Sequence, residues 1–473
     1  MQPHPRSVDF MPTPADPARQ PRMTTATMHA TLLLAAFLAL SLSMPATAND
    51  AHATTSTPTP VPAAPAWLAE VEALYDADLR VAGLEDRTFA PEHWWQIATP
   101  LLSSRNGFAM REIGRSAEER PLRHVSWGRG KTRVLLWSQM HGDESTATMA
   151  LADLFRFLGE HPRHPIVQRL RERTTLHFFP IVNPDGAARF QRRNAQGVDV
   201  NRDARDLATP EGQALKALHD ALAPDFGFNL HDQRPGYRAG DSERGVAVAL
   251  LAPAYNEAND VNEVRGRAME VAGMIRAALE PSLSGHLARW DETFNPRGFG
   301  DMTTHWGSST VLLEAGGIEG DPQKQLLRKH TFIAMLAGLD SIASGSHAGV
   351  PHGVYRELPE NGAVWPDLAI RGGTVVSDRL PPVRADVMVG FRHPLAEQGG
   401  TISDVGDLAD SPSRHSIDAS GLYLVPIADA EGRIAHKRIV TGAPAHFHLS
   451  RDPEGRDIVW TLKRDVDPAH PRP

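Results

Sequence analysis

The chain has 473 residues, which at about 150 residues per domain allows two or three domains and a large buried core. Its 49 Lys and Arg residues against 57 Asp and Glu residues give a net charge of −8, and no basic cluster is present, which argues against nucleic acid as a partner. The sequence contains no cysteine, so disulfides, thiolate ligands and a cysteine nucleophile are excluded, and any metal ion must be held by His and carboxylate.

The N-terminus has the features of a secretory signal peptide. Arginines precede an apolar run over 31–43, and an Ala-Thr-Ala sequence ending at Ala48 is the small-x-small pattern that signal peptidase cleaves. The run is shorter than the roughly 20 apolar residues that cross a bilayer, so we predict no stable membrane anchor. We therefore expect cleavage after Ala48 and a periplasmic or secreted protein, with translation starting at Met1 or Met23.

The central part of the chain alternates between short apolar runs and helical periods, which predicts an α/β domain with a mixed open sheet flanked by helices. The predicted strands are 107–112, 122–127, 133–139, 175–181, 225–230, 246–252 and 309–314. The predicted helices are 145–158, 210–222, 258–279 and 322–343, the last beginning at Asp321-Pro322.

Beyond residue 349 the helical periods stop, and short alternating runs are separated by Gly, Pro and Asp. These runs, at 367–376, 386–391, 421–427 and 456–462, predict a small β-rich domain. Its two nearby histidines, His446 and His448, are interpreted as surface or packing residues. We divide the chain into a signal peptide with an N-terminal extension (1–48), a flexible linker (49–65), a main domain (66–348) and a β-rich accessory domain of unassigned role (349–473).

Potential metal ligands follow the predicted strands. His141 stands directly after a strand, and Glu144, three residues later, can turn its carboxylate toward the same point, which gives two of the three ligands of a catalytic zinc site. Taken alone, this pair is more typical of a surface histidine and a capping glutamate. His231 closes the strand 225–230, and the carboxyl ends of strands border the ligand crevice of an open α/β sheet. Glu314 ends another buried strand and is a candidate general base for a water molecule activated by the metal.

A polar loop lies between these segments. It follows an N-P-D-G turn at 183–186 and offers Arg192, Arg193, Asn201 and Arg202. Guanidinium groups near a hydrolytic metal can bind a substrate carboxylate with two hydrogen bonds or stabilise a developing oxyanion. The alternative is a solvated basic loop.

Taken together, the motifs resemble the zinc carboxypeptidase family of carboxypeptidase A. The resemblance covers about residues 105–345 and rests, in chain order, on H-G-D-E, N-P-D-G, G-V-D-V-N-R, a His that closes a strand, and L-L-E. It implies that 66–348 is a zinc carboxypeptidase domain that binds one zinc ion per chain through His141, Glu144 and His231. It also implies that Glu314 deprotonates the attacking water and later protonates the leaving amine.

The resemblance extends to the polar loop. Asn201 and Arg202 match the pair that binds the terminal carboxylate of the substrate, and Asp199 matches the carboxylate that orients the first histidine ligand. For the arginine that polarises the substrate carbonyl, the spacing favours Arg192 over Arg193.

One position departs from the family pattern, and a second has two candidate residues. The stretch before the catalytic glutamate, from 292 to 300, lacks the tyrosine that the family usually has there, so Tyr237 or Tyr255 takes that role or the role is absent. The floor of the specificity pocket falls near Gly300 or Asp301, which leaves the side-chain preference open.

The leading hypothesis is therefore a secreted or periplasmic metallocarboxypeptidase that acts on peptides, with peptidoglycan stem peptides as one candidate substrate class. The first alternative is an N-acyl amino acid deacylase similar to aspartoacylase or succinylglutamate desuccinylase, which shares H-x-x-E and D-x-N-R; the N-P-D-G and R-R-N-A-Q-G segments and the export signal argue against it. A second alternative is a non-catalytic binding protein, against which the retention of all three ligands and Glu314 argues. The sequence does not indicate an oligomeric state.

Overall fold

The computed structural model describes residues 58–377, 380–392, 394, 399–427 and 438–462. The predicted signal peptide and its cleavage site lie outside these ranges. Within them, no helix has the length and apolar character needed to cross a membrane. The end of the predicted linker contacts the fold, since the backbone N–H of Thr59 donates to the Glu357 carboxylate at 2.9 Å.

The first sheet contains eight strands among the described residues, in the order β1-β2-β4-β3-β5-β8-β6-β7. They are β1 (Phe108–Arg115), β2 (Pro121–Gly128), β3 (Thr132–Ser138), β4 (Thr174–Phe179), β5 (Phe226–Asp232), β6 (Val248–Leu251), β7 (Leu287–Arg289) and β8 (Ser309–Ala315). The central strands β4, β3, β5 and β8 are parallel. β2 is antiparallel to β1 and β4, β6 is antiparallel to β8, and β7 is parallel to β6. The predicted mixed sheet is confirmed.

Helices cover both faces of this sheet. They are α1 (Leu68–Leu74), α2 (Pro91–Ala98), α3 (Thr146–Glu160), α4 (Pro165–Arg173), α5 (Pro184–Ala188), α6 (Pro210–Leu222), α7 (Glu263–Leu283), α8 (Phe299–His305), α9 (Gln325–Ser344) and α10 (Gly353–Arg356). Short turns of other helix types occur at Tyr75–Leu79, Thr99–Leu101, Ser104–Asn106 and Val200–Arg202. In β3, Val134 and Leu136 enter the larger core and Leu135 and Trp137 the smaller core on the opposite face. This explains why the strand is a continuous apolar run rather than an alternating one.

The second sheet confirms a β-rich region at the C-terminal end of the chain. Its described strands are β9 (Leu368–Val375), β10 (Val383–Gly390), β11 (Thr401–Gly406), β12 (His415–Asp418), β13 (Tyr423–Pro426), β14 (Phe447–Ser450) and β15 (Ile458–Leu462). They follow the order β11-β10-β9-β13-β14-β15, and β12 also pairs with β9. The sheet has its own apolar core, which includes Ile370, Val389, Leu424 and Phe447. His448 contacts the Thr461 hydroxyl across β14 and β15 at 2.8 Å.

Several boundaries differ from the sequence-based prediction. Helix α9 begins at Gln325 and not at residue 322, because Lys324 has a left-handed backbone with φ of 52° and the Asp321 carboxylate accepts hydrogen bonds from the first N–H groups of the helix. Helix α7 begins at Glu263 and not at residue 258, because the Asn262 side chain caps it. The short elements α1, α2, α4, α5, α8, α10, β7, β11, β12 and β14 were not predicted.

The H-G-D-E segment packs directly against the N-P-D-G turn. A Cβ atom on Gly142 would lie 2.0 Å from the carbonyl carbon of Gly186, so the two backbones touch. The Asn183 side chain caps α5 by accepting from the N–H of Gly186 at 2.8 Å, and its amide donates to the Met140 carbonyl at 3.2 Å. The two motifs therefore fix each other, and with them the loop that carries His141.

We expect Gly142→Ala to destabilise the fold, because the added methyl group must displace the backbone of Gly186. Overpacking of this kind costs about 1–3 kcal/mol or more, which urea unfolding measures. The control is Gly406→Ala, where a Cβ atom meets no other atom within 4 Å; its effect should stay within about 0.5 kcal/mol. Equal stability of the Gly142 variant and the wild type would contradict this account of the motif.

Candidate metal centre and active site

The three predicted metal ligands meet at the carboxyl ends of β3 and β5. His141 and Glu144 follow β3, and His231 lies near the end of β5. All three side chains are buried, and their potential ligand atoms lie within 4.8 Å of one another. The Nδ1 atom of His141 lies 2.7 Å from one Glu144 oxygen, and Nδ1 of His231 lies 2.7 Å from the other. The fold thus brings together two imidazoles and one carboxylate.

The second nitrogen of each imidazole also has a partner. Nε2 of His141 lies 2.9 Å from the Asp199 carboxylate, and Nε2 of His231 lies 3.3 Å from the Asn201 amide nitrogen. These contacts turn both Nδ1 atoms toward Glu144 and fix the ring orientations. Two imidazoles and one carboxylate form the ligand set of catalytic zinc sites, so the residues present fit a zinc ion.

The cluster is ionic in character. Burial works against a charged Glu144, but the two histidines outweigh it and hold the pKa of this carboxyl well below its usual range. Burial also disfavours a protonated His141, yet Glu144 and Asp199 overcome it and raise the pKa of this imidazole to about 9. His141 and Glu144 therefore form a charged pair, whereas burial lowers the pKa of His231.

Glu314 lies next to the cluster, in register with His231 across β5 and β8. Its side chain is buried and lines the same cavity as His141 and Glu144. Burial, followed by repulsion from Glu144, raises the pKa of Glu314 well above its ordinary value. A carboxyl group with a raised pKa is suited to accepting and releasing a proton in turn.

Residues 104–223 match the family model described as zinc carboxypeptidase. Among similar curated proteins, probable carboxypeptidase 2 of Trichophyton verrucosum is 26% identical over 186 residues, which are 39% of this chain and 34% of that protein. Carboxypeptidase 2 of Trichophyton tonsurans is 25% identical over 177 residues, 37% of this chain and 31% of that protein. Residues 104–223 are thus similar to the zinc carboxypeptidase family.

The chain spans about a third of the length of these curated relatives. Among solved structures, a metallo-carboxypeptidase from Burkholderia cenocepacia is 20% identical, with 54% of this chain and 71% of that chain covered and a TM-score of 0.43. The family match ends before His231 and Glu314, so it is the pairing of β5 with β8 in this structure that brings these two residues to the cluster.

The active-site cavity has a volume of about 760 Å³. The predicted residues that line it are His141, Glu144, Arg192, Asn201, Arg202, Tyr237, Gly300, Asp301 and Glu314. Tyr237 packs edge-to-face on Trp290 with 5.5 Å between ring centroids, whereas Tyr255 contributes a backbone carbonyl to His305 outside this lining. Of the two candidate tyrosines, Tyr237 is thus the one that faces the cavity.

The two candidate arginines have different surroundings. Arg192 lies beside the cluster, with Nε 3.0 Å from Asp199 and Nη1 3.3 Å from Glu144. Arg193 instead donates to the Gly197 carbonyl at 2.9 Å. The geometry is consistent with the preference for Arg192, whose role stays a prediction.

Asn201 and Arg202 lie on a second wall of the cavity. The Asn201 side chain accepts from the N–H of Phe299 at 2.9 Å, and Arg202 donates to the Asn201 carbonyl at 2.7 Å. Gly300 and Asp301 are part of the same wall, at the start of α8. Burial raises the pKa of Asp301 to about 6, so this carboxyl changes charge near neutral pH.

A buried ion pair supports the site, and sequence analysis missed it. The N–H of Asp232, the residue after the second histidine ligand, donates to Glu144 at 3.2 Å, and its carboxylate accepts from Lys324 Nζ at 2.8 Å. Lys324 also donates to the carbonyl of Ala315, the residue after Glu314, at 3.1 Å. It therefore joins the ends of β5 and β8. In the sequence, the signal for this pair was Asp232, an acidic residue at the end of a buried strand. Lys324 gave no signal, because it lies in an ordinary polar loop.

We expect Lys324→Met to destabilise the protein by about 3 kcal/mol, the lower end for a broken buried ion pair. The substitution keeps most of the volume but leaves the buried Asp232 carboxylate with the Arg87 guanidinium, 3.5 Å away, in place of its closer ammonium partner. The matched control is Lys329→Met, five residues later in α9, where the ammonium pairs with the exposed Asp76 at 2.7 Å. The control should lose about 0–1 kcal/mol. Urea unfolding of the two variants compares the losses; equal small losses would show that the Lys324 pair contributes little.

Proposed function

We propose that the protein is a zinc-dependent metallocarboxypeptidase that hydrolyses the C-terminal peptide bond of peptides. The observation that carries this proposal is that two members of the His-Glu-His cluster, His141 and Glu144, line one cavity together with the buried carboxyl of Glu314 and with Arg202. The family match over residues 104–223 supports the same reaction class.

The metal would be held by His141, Glu144 and His231. When bound there, zinc supplies a Lewis acid that polarises a carbonyl and brings the pKa of a water molecule to about 7. Asp199 and Asn201 hold the two histidine rings in the orientation that this requires.

Glu314 moves the proton in the proposed reaction. Its carboxylate removes a proton from the water that attacks the carbonyl carbon of the scissile bond. The same group then gives that proton to the nitrogen of the leaving residue as the carbon–nitrogen bond breaks. The raised pKa of Glu314 favours the second step, because a protonated carboxyl is then available as an acid.

Arginines handle the negative charges of the substrate. Arg192 would donate to the carbonyl oxygen as charge develops on it, since its guanidinium already lies next to Glu144. Arg202 and Asn201 would bind the terminal carboxylate, which selects a free chain end over an internal bond. The proposal includes peptidoglycan stem peptides as a candidate substrate class. It also includes a periplasmic or secreted location, which follows from the predicted signal peptide.

We expect Glu314→Gln to bind one zinc ion per chain, as the wild type should, and to lose about 10²–10⁴-fold in kcat, because the shape of the site is kept while the base is removed. Elemental analysis and peptide hydrolysis measure the two quantities. Glu319→Gln, an exposed position in the following loop, serves as the control and should match the wild type. No stoichiometric metal in the wild type, together with activity that resists chelators, would overturn the zinc assignment; full activity of Glu314→Gln would overturn the assigned base.

We expect a C-terminal amide to be a much poorer substrate than the matched free acid. Without a carboxylate the Arg202 guanidinium loses its charged partner, at a cost of about 2–5 kcal/mol, or roughly 30-fold to several thousand-fold in kcat/KM. Arg202→Ala should remove this discrimination by slowing the free acid alone. Arg205→Ala, whose side chain is 62% exposed, is the control in the same loop and should keep it. Equal wild-type rates on the two peptides would indicate an endopeptidase or amidase and end the carboxypeptidase proposal.

A further inference from the structure

The active-site cavity is bordered by both sheets. The segment that continues from β5 contributes Arg234, Pro235 and Tyr237 to its wall. Arg392 and Pro394, which follow β10 of the second sheet, line the same cavity. The β-rich region is therefore part of the substrate-facing surface.

A buried carboxylate of the second sheet region holds Arg234 in place. Arg234 Nη2 lies 3.1 Å from the Asp367 carboxylate and 3.4 Å from the Phe391 carbonyl. The Asp367 side chain is 1% exposed, and it also accepts from the N–H of Phe391 at 2.6 Å and from Arg414 at 3.1 Å. One buried carboxylate is thus shared by two guanidinium groups, which leaves net positive charge at Arg234.

The stretch of chain that connects the two sheets fixes the residues on either side of Arg234. The Asn361 amide donates to the Gln233 side chain at 2.7 Å, and the N–H of Gly362 donates to the Arg238 carbonyl at 2.7 Å. The Arg238 guanidinium also stacks on Trp365, 4.3 Å from the ring centroid. Because the segment is fixed on both sides of Arg234, its guanidinium is preorganised and a ligand need not order it.

We propose that Arg234 is a substrate-binding residue that takes a second carboxylate of the peptide, carried by an acidic side chain upstream of the scissile bond. The inference rests on the proposed carboxypeptidase activity and specifies the class of peptides on which that activity acts. The Arg234 side chain is 47% exposed although it lies in the cavity wall. Among the described residues, its hydrogen bonds are donated by Nη2, so Nε and Nη1 stay available to a carboxylate. The terminal carboxylate is assigned to Arg202, so the charge at Arg234 fits a different acidic group.

The test compares peptides that end in the same residue with a free carboxylate and carry Glu or Gln at one of the two positions before the scissile bond. In the wild type, Glu should be favoured over Gln by about 10-fold or more in kcat/KM at one of the two positions, mainly through KM, because the gain is a charge-assisted hydrogen bond. Arg234→Met should lose this preference, and Arg234→Lys should keep part of it.

Arg414→Met is the matched control. It removes the other guanidinium that contacts Asp367, but Arg414 does not belong to the cavity lining, so the preference for Glu should persist. Its loss in this variant as well as in Arg234→Met would indicate a general loosening of the second sheet and would overturn the specific role of Arg234. Thermal melts of all variants identify any that fail to fold. If Arg234→Met does not fold, Arg234→Lys is compared with the wild type in its place.

The outcomes separate this inference from the proposed function. Cleavage of both peptide series at equal rates would leave the carboxypeptidase proposal intact and overturn the role of Arg234. A preference for Glu that survives in Arg234→Met would also overturn it. If no free-acid peptide is cleaved while zinc is bound, the proposed function fails, and the inference that rests on it fails with it.

Discussion

The carboxylate of Glu144 is the constraint on which the site depends. It is buried, and each of its oxygens faces one imidazole at 2.7 Å, so two histidines from different parts of the chain must converge on it. An unpaired buried carboxylate is costly, which means that any shift of β3 against β5 separates a charged group from its partners. The parallel pairing of β3 with β5 and of β5 with β8 keeps His141, His231 and Glu314 at one edge of the sheet.

This dependence on strand ends explains how much of the site the sequence could predict. The apolar runs of β3, β5 and β8 are buried on both faces, and they stand out because polar residues cluster at the strand ends, with Asn229 inside β5 as an exception. His141, His231 and Glu314 were found through that change, and the mixed sheet through the alternation of such runs with helical periods. The second sheet was predicted as a β-rich region from its short alternating segments, although β11, β12 and β14 were missed.

The remaining features depend on contacts between residues that are far apart in the chain, and local sequence patterns do not reveal such contacts. Lys324 pairs with Asp232 across 92 positions of the chain, and Arg234 with Asp367 across 133. The start of α9 was misplaced because Asp321-Pro322 has the composition of a helix start, whereas the left-handed backbone of Lys324 delays the helix to Gln325. That delay places the lysine over the buried carboxylate. Local sequence rules do not predict a left-handed backbone at a lysine, yet this backbone conformation of Lys324 supports the site.

Four consecutive residues show how the metal centre is joined to the rest of the protein. His231 contacts Glu144, the Asp232 side chain contacts Lys324 beside β8, Gln233 contacts Asn361 between the two sheets, and Arg234 contacts Asp367 of the second sheet region. Successive side chains of an extended segment point to opposite sides, so a single stretch of backbone can bond to several neighbours at once. The positions of the candidate metal ligand and of the candidate substrate arginine are therefore set by one rigid segment. This gives the second sheet a physical connection to the candidate metal centre, because it holds the far end of the segment whose near end carries His231.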